Sequence, residues 1–406
     1  MRFEEFISEQ KNTHMTHIED KVLYGGVNGT SQAIMALRSL RDMLGGQKDG
    51  SVSVKWDGAP AIFAGVDPRD GRFFVAKKGI FNKSPKVYKS NADIDADTSG
   101  DLSAKLKLAL KHLPSLGIKG VIQGDFLFSS SDIKTQKIKG QSYVTFHPNT
   151  ILYAIPANTE MAQQIKAAKI GIVWHTTYTG NSFETMRASY GVNVKRLRKN
   201  RDVFMQDAML RDMTQATMSR KETDEVNAYL STAGRIFNTI SGTTLRALQE
   251  DRKLAQLIEQ FNNTYVRKGE VIKDSKVHAR RCVAWFKDKY KKEIASRKSE
   301  KGKAAQQAKL DEIIEFFGDT KQLANIFELQ RVIILAKLKL INILNKIGSF
   351  KTFLKTTKGY RTTDQEGFVA IDKLGGDAVK IVDRLEFSYA NFSPDVLKGW
   401  DKPGRR

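Results

Sequence analysis

The hydrophobic period of this chain changes twice, and the order of the changes restricts the folds open to it. Over residues 12–46, Ile18, Val22, Ile34, Leu37, Leu40 and Leu44 recur at helical spacing, and Gly45 and Gly46 supply a stop. From 51 to about 180 the pattern is strand-like. Residues 51–55 alternate, and 61–64 and 73–76 flank a turn containing Asp67, Pro68 and Gly71, which reads as a hairpin. A helix over 102–113 interrupts before strands at 121–128, 143–146, 151–155 and 170–174. From about 190 to 355 the strand signal stops, and 202–218, 222–240, 243–262, 276–297, 304–317 and 321–347 read as helices. Strands return at 367–371 and 378–382.

Two strands alone make a marginal structure, so the last pair is expected to complete the earlier sheets. The chain therefore reads as α+β with a large all-helical insertion. The expected layout is an N-terminal helical segment (1–48), the first part of a sheet domain (49–188), an inserted basic helical subdomain (189–358) and the rest of the sheet domain (359–406).

Charge narrows the function. The 406 residues carry 67 Lys and Arg against 45 Asp and Glu, a formal net charge of +22. Such an excess attracts polyanions through counterion release, which makes nucleic acid the expected partner. The excess is concentrated over 276–303, which holds Arg280, Arg281, Lys287, Lys291, Lys292 and Arg297, and in a second cluster of Lys195, Arg196, Arg198, Lys199 and Arg201. Hydrophobic residues make up 40% of the chain, enough to build a core, but no apolar run reaches the roughly 18–20 residues a bilayer requires. Lys337 and Lys339 cut the nearest candidate. The single cysteine, Cys282, allows neither an internal disulfide nor a cysteine-based metal site, as expected in a reducing compartment.

The tetrapeptide Lys55, Trp56, Asp57, Gly58 ends the first predicted strand. A lysine there, beside a turn, can be held over a phosphate, and cationic neighbours would lower its pKa and free its amine as a nucleophile. The motif resembles the K-x-D-G signature of the covalent nucleotidyltransferases, which include ATP-dependent DNA ligases, RNA ligases and mRNA capping enzymes. Further segments resemble that superfamily's later motifs in the same order. They are Lys77-Lys78-Gly79, Gly124-Asp125 after a strand, an aromatic at Tyr153 or Phe146, Glu366-Gly367, and Lys380. The likeness covers about 50–180 and 362–390.

The resemblance implies an adenylation domain of antiparallel sheets in which Lys55 attacks the α-phosphorus of ATP to give lysyl-AMP. It implies catalytic roles for Lys55, Asp57 and Lys380, and nucleotide contacts from Lys55, Gly58, Lys77, Lys78, Tyr153, Phe146, Glu366 and Lys380. Asp125 and Glu366 would bind Mg²⁺ or Mn²⁺. The adenylyl group would pass to a 5′-phosphorylated nucleic-acid end, with the basic helices holding the polynucleotide. Three departures stand out: Asp125 replaces the commoner Glu, Pro60 stands where ligases often place Arg, and Val382 takes the place of a second lysine. The 26 residues after Lys380 are too few for the OB-fold that follows this domain in DNA ligases and capping enzymes, which turns the expectation towards RNA ligation. Rival readings are a non-catalytic basic nucleic-acid-binding or internal virion protein on a ligase-like scaffold, and a nucleotidyltransferase acting on protein or tRNA.

Other features are less specific. His14 and His17 with Glu19 and Asp20 suit a packed helix face better than a metal site. The turns at His147–Thr150 and His175–Tyr178 are rich in hydrogen-bonding side chains that could border a nucleotide pocket. Residues 6–10 resemble the cleaved leader of internal head proteins of contractile-tailed bacteriophages. That resemblance implies a protein of the host cytoplasm, packaged in the capsid through its leader.

Overall fold

A computed structural model describes residues 17–46, 51–210, 218–318, 320–346, 350–364, 366–371 and 378–399. Its strands form three sheets, all antiparallel but for one pair. In the largest, the strand order runs Val203–Asp207, Ile170–Thr179, Val121–Ser129, Ala61–Val66, Phe73–Ala76, and Arg187–Tyr190 also pairs with Ile170–Thr179. The expected hairpin is present: Phe63 faces Ala76 and Val66 faces Phe73. Its turn closes as its residues dictate. The Asp67 carboxylate accepts from the Arg69 amide at 2.9 Å, and Gly71 takes the left-handed φ of 72°.

A second sheet is built from Gly359–Thr362, Lys351–Thr356, Ile151–Pro156, Gln141–Phe146 and Lys134–Ile138. The third places Ser51–Lys55 between Met209–Leu210 and Gly367–Ile371, with Ala378–Ile381 on the far edge. The strands at the end of the chain thus complete a sheet begun more than 300 residues earlier, as expected from their marginal stability alone.

The helical block comprises Arg220–Phe237, Gly242–Glu250, Arg252–Arg267, Ser275–Ser296, Glu300–Phe316 and Thr320–Leu344. It starts later and ends earlier than expected. Residues 203–207, read from sequence as part of a helix, form a strand running parallel to Ile170–Thr179, because Val203 and Phe204 are buried against the sheet. The strand Lys351–Thr356, assigned to the insertion, pairs instead with Ile151–Pro156. The N-terminal helix Gly26–Leu44 packs on Arg220–Phe237 and Gly242–Glu250, so the helical core is made from two separate parts of the chain. Its centre is Thr320–Leu344, in which Leu323, Ile326, Phe327, Ile333, Leu340 and Leu344 are buried. No described helix is long and apolar enough to cross a membrane.

Candidate functional site

The register of one sheet assembles the site. Ser51–Lys55 runs antiparallel to Gly367–Ile371 with Lys55 opposite Gly367, so Glu366 arrives beside the end of the first strand. The Lys55 ammonium pairs directly with the Glu366 carboxylate. The next strand brings in Lys380, opposite Val369. The Lys55 side chain is 29% exposed, and that of Glu366 is 9% exposed.

Burial pushes the Glu366 carboxyl up to about 7, against the opposing pull of Lys55 and with a further push from the Asp57 charge. Burial also holds Lys380 down to about 8, helped by the like charge of Lys55. The ammonium of Lys380 lies 4.6 Å from the centre of the Phe387 ring. Lys55 and Lys380 thus act on the same buried carboxyl from two strands.

Asp57, for which the resemblance implies a catalytic role, is held by its surroundings: it is 4% exposed, and its carboxylate accepts from the Thr150 amide and hydroxyl at 2.5 Å, the Ile151 amide at 2.7 Å and the Asn149 side chain at 2.6 Å. Its own amide donates to the Tyr153 hydroxyl at 2.6 Å. With its acceptor positions occupied, Asp57 ties the Lys55 loop to the neighbouring sheet. The hydrogen-bonding turn at 147–150 thus braces the site, and Thr150 also lines a narrow cleft with Glu366.

Gly58 is required by close packing. A Cβ there would meet the Asp125 Cβ at 2.5 Å and the Phe126 carbonyl at 3.0 Å. The loop is held against that strand by Ala59 N–H donating to the Phe126 carbonyl at 2.9 Å. Asp125 therefore lies against the lysine loop, and its carboxylate is 3.6 Å from His175 Nε2.

Tyr153 and Phe146 are each 1% exposed and stack on each other at 5.2 Å, with Trp56 stacked on Tyr153 at 4.9 Å, so neither offers a free ring to a base. They form the floor beneath the lysine loop. Lys77 points away to Asp97 at 2.9 Å, an acid it shares with Lys86 and the Tyr88 hydroxyl. Lys78 is exposed at the start of the 3-10 turn Lys78–Phe81. The strand that these lysines follow, Phe73–Ala76, is on the outer edge of a different sheet from Lys55.

Behind Lys380 the segment read from sequence as a packed face, His17 to Asp20, meets partners that the sequence did not reveal. His17 makes a backbone bridge with Lys380. Glu19, buried, takes both hydrogen bonds of the buried Lys337 at 2.9 Å. Arg384 binds Asp20 at 2.9 Å and Asn263 at 2.9 Å. Burial pushes the His17 imidazole down to about 3; Glu19 opposes this, while Arg384, Lys380 and Lys337 add to it. That suits a packed neutral histidine. His14 lies outside the described residues, and among these no group of three or more His, Cys, Asp or Glu is placed to hold a metal. The one available signal was Lys337, a charge inside an otherwise apolar helix.

The donor set fits a nucleotide polyphosphate with its Mg²⁺. With such a ligand bound, Lys55 and Lys380 would be the cationic contacts, and Asp125 and Glu366 would be the carboxylates open to Mg²⁺, whose shell phosphates and water commonly complete.

The sequence model of a protein family described as "Family of unknown function (DUF6267)" matches residues 12–395, and the chain belongs to that family. No curated protein and no solved structure matches it.

Proposed function

We propose that this member of the family is an ATP-dependent polynucleotide ligase of the covalent nucleotidyltransferase type, acting on RNA in preference to DNA. One observation carries the reading: Lys55 and Glu366, 311 positions apart, meet as an ion pair at the end of two paired inner strands, with Lys380 on the next strand. Each occupies its motif position in the superfamily that the sequence resembles.

In this reading the Lys55 amine, its proton passed to the adjacent Glu366 carboxylate, attacks the α-phosphorus of ATP. A P–N bond forms, the bond to the β-phosphate oxygen breaks, and pyrophosphate leaves. Lys380 balances charge that builds on the phosphoryl oxygens. The adenylyl group then passes to a 5′-phosphate, and a 3′-hydroxyl displaces AMP as the phosphodiester forms. Mg²⁺ bound with ATP would screen its phosphates; Asp125 would hold it, joined by Glu366 where that carboxyl is unprotonated.

Incubation with α-labelled ATP and Mg²⁺, followed by denaturing electrophoresis, tests the reading. The expected result is labelled protein from the native chain and none from Lys55→Ala. Absence of label on native protein refutes catalysis and leaves the second reading, a non-catalytic nucleic-acid-binding protein. The buried rings of Tyr153 and Phe146, which offer a base no platform, favour that alternative.

A further inference from the structure

We infer that the helix Ser275–Ser296 presents a straight phosphate-binding track along which the polynucleotide backbone lies. The inference takes its partner from the reading above, but it stands on a different part of the molecule.

The helix has two unlike faces. His278, Cys282, Phe286 and Tyr290 are buried in the helical core. Lys276, Arg280, Lys287 and Lys291 are exposed. At about 100° per residue these four fall within roughly 60° of arc, about 40° from the nearest buried side chain, Tyr290, and about 120° from the middle of the buried face. At about 1.5 Å per residue they span about 22 Å in steps of about 6, 10 and 6 Å. One DNA strand places a phosphate about every 3.4 Å along the duplex axis, so the steps match every second or third phosphate.

Several cations of the helical block are matched: Lys303 with Glu300 at 2.7 Å, Lys339 with Glu225 at 2.5 Å, Lys346 with Glu222 at 2.8 Å, Arg331 with Glu328 at 2.5 Å and, on the same helix, Lys289 with Glu293 at 3.5 Å. Among the described residues, no carboxylate comes within 4.0 Å of a charged nitrogen of the four. The opposing acids around it are Asp274, which caps the helix through the Lys276 and Val277 amides, the exposed Asp288 one turn from Lys291 on the same helix, and Asp311 and Glu315, which line the same open cleft as Lys287 and Lys291. Four unmatched cations repel one another, and a row of phosphates removes that repulsion while releasing counterions.

An anionic membrane is the competing partner for a basic helix. Binding in a membrane interface needs the apolar face at the surface, together with exposed aromatic or aliphatic anchors. Here that face is buried in the core, and the exposed large hydrophobics (Val27, Met35, Tyr190, Val271 and Phe392) all lie off this helix. Nucleic acid is therefore the occupant.

The test measures affinity for a 5′-phosphorylated RNA 20-mer and a DNA duplex by fluorescence anisotropy across a salt series. The proteins compared are the native chain and the combined variant Lys276→Gln, Arg280→Gln, Lys287→Gln, Lys291→Gln. The slope of log affinity against log salt should fall by about 3 for the single strand and about 3.6 for the duplex. Lys291→Gln alone should lower it by about 1, which keeps the test decisive if the combined variant fails to fold. An unchanged slope overturns the track. So does an equal fall on neutralising the separate cluster Lys195, Arg196, Arg198, Lys199 and Arg201, or binding to phosphatidylserine vesicles without binding to either polynucleotide. Labelling of Lys55 by ATP is read separately, so loss of one result leaves the other standing.

Discussion

Replacing Glu366 by Gln should stabilise the protein while it disables the site, and by an amount that depends on pH. In the fold the carboxyl titrates at about 7 against an ordinary 4.5, chiefly because it is buried. A folded value above the unfolded one means that the native state holds the proton more tightly. The group's contribution to stability is therefore fully present below about 4.5 and is lost as pH rises through about 7. Integrating between the two values gives a cost of about 3 kcal/mol near pH 8 and about 1 kcal/mol near pH 5. Gln keeps an acceptor for Lys55 but carries no charge, and Lys55 is exposed enough to be solvated without its partner. Unfolding entropy for a chain of this length makes about 3 kcal/mol worth roughly 3–4 °C in Tm. Calorimetry of both proteins at several pH values should show Glu366→Gln melting higher near pH 8 and almost equally near pH 5, with lysyl-AMP formation lost. A variant that melts lower near pH 8, or whose difference ignores pH, would refute the claim that the buried carboxylate is held at a cost.

Other outcomes follow from the same geometry. Lys337→Met should destabilise by about 3–5 kcal/mol, because it strands a buried Glu19 whose remaining cation, Arg384, is 3.8 Å away. Adding Glu19→Leu should recover most of that loss in urea titrations, and a double variant no better than the single would argue against a mutual ion pair. Gly58→Ala should cost about 1–3 kcal/mol, since its Cβ would sit 2.5 Å from that of Asp125; unchanged stability would mean the loop is less tightly packed than described.

Position in sequence showed a good deal. The hairpin at 61–76 was legible because alternation and turn chemistry are local, and so were most helices of the block. Local pattern failed where burial decided. Val203 and Phe204 join a strand because a sheet edge lies beside them, which no short-range period records. The strands Lys134–Ile138 and Gly359–Thr362 carry few apolar residues, and they exist because a neighbouring strand supplies hydrogen bonds.

The same division runs through the site. Sequence alone determined which residues have the chemistry: a lysine at a strand end, a glutamate before a glycine and a second lysine near the end of the chain, all in a strongly basic protein. Only the tertiary structure decided which of them meet. Strand register joined Lys55, Glu366 and Lys380, while packing turned Asp57 into a brace, sealed Tyr153 beneath Trp56 and gave Lys77 to Asp97. Residue type fixes what a side chain can do. Burial and distance, set by contacts hundreds of positions apart, fix what it is able to reach.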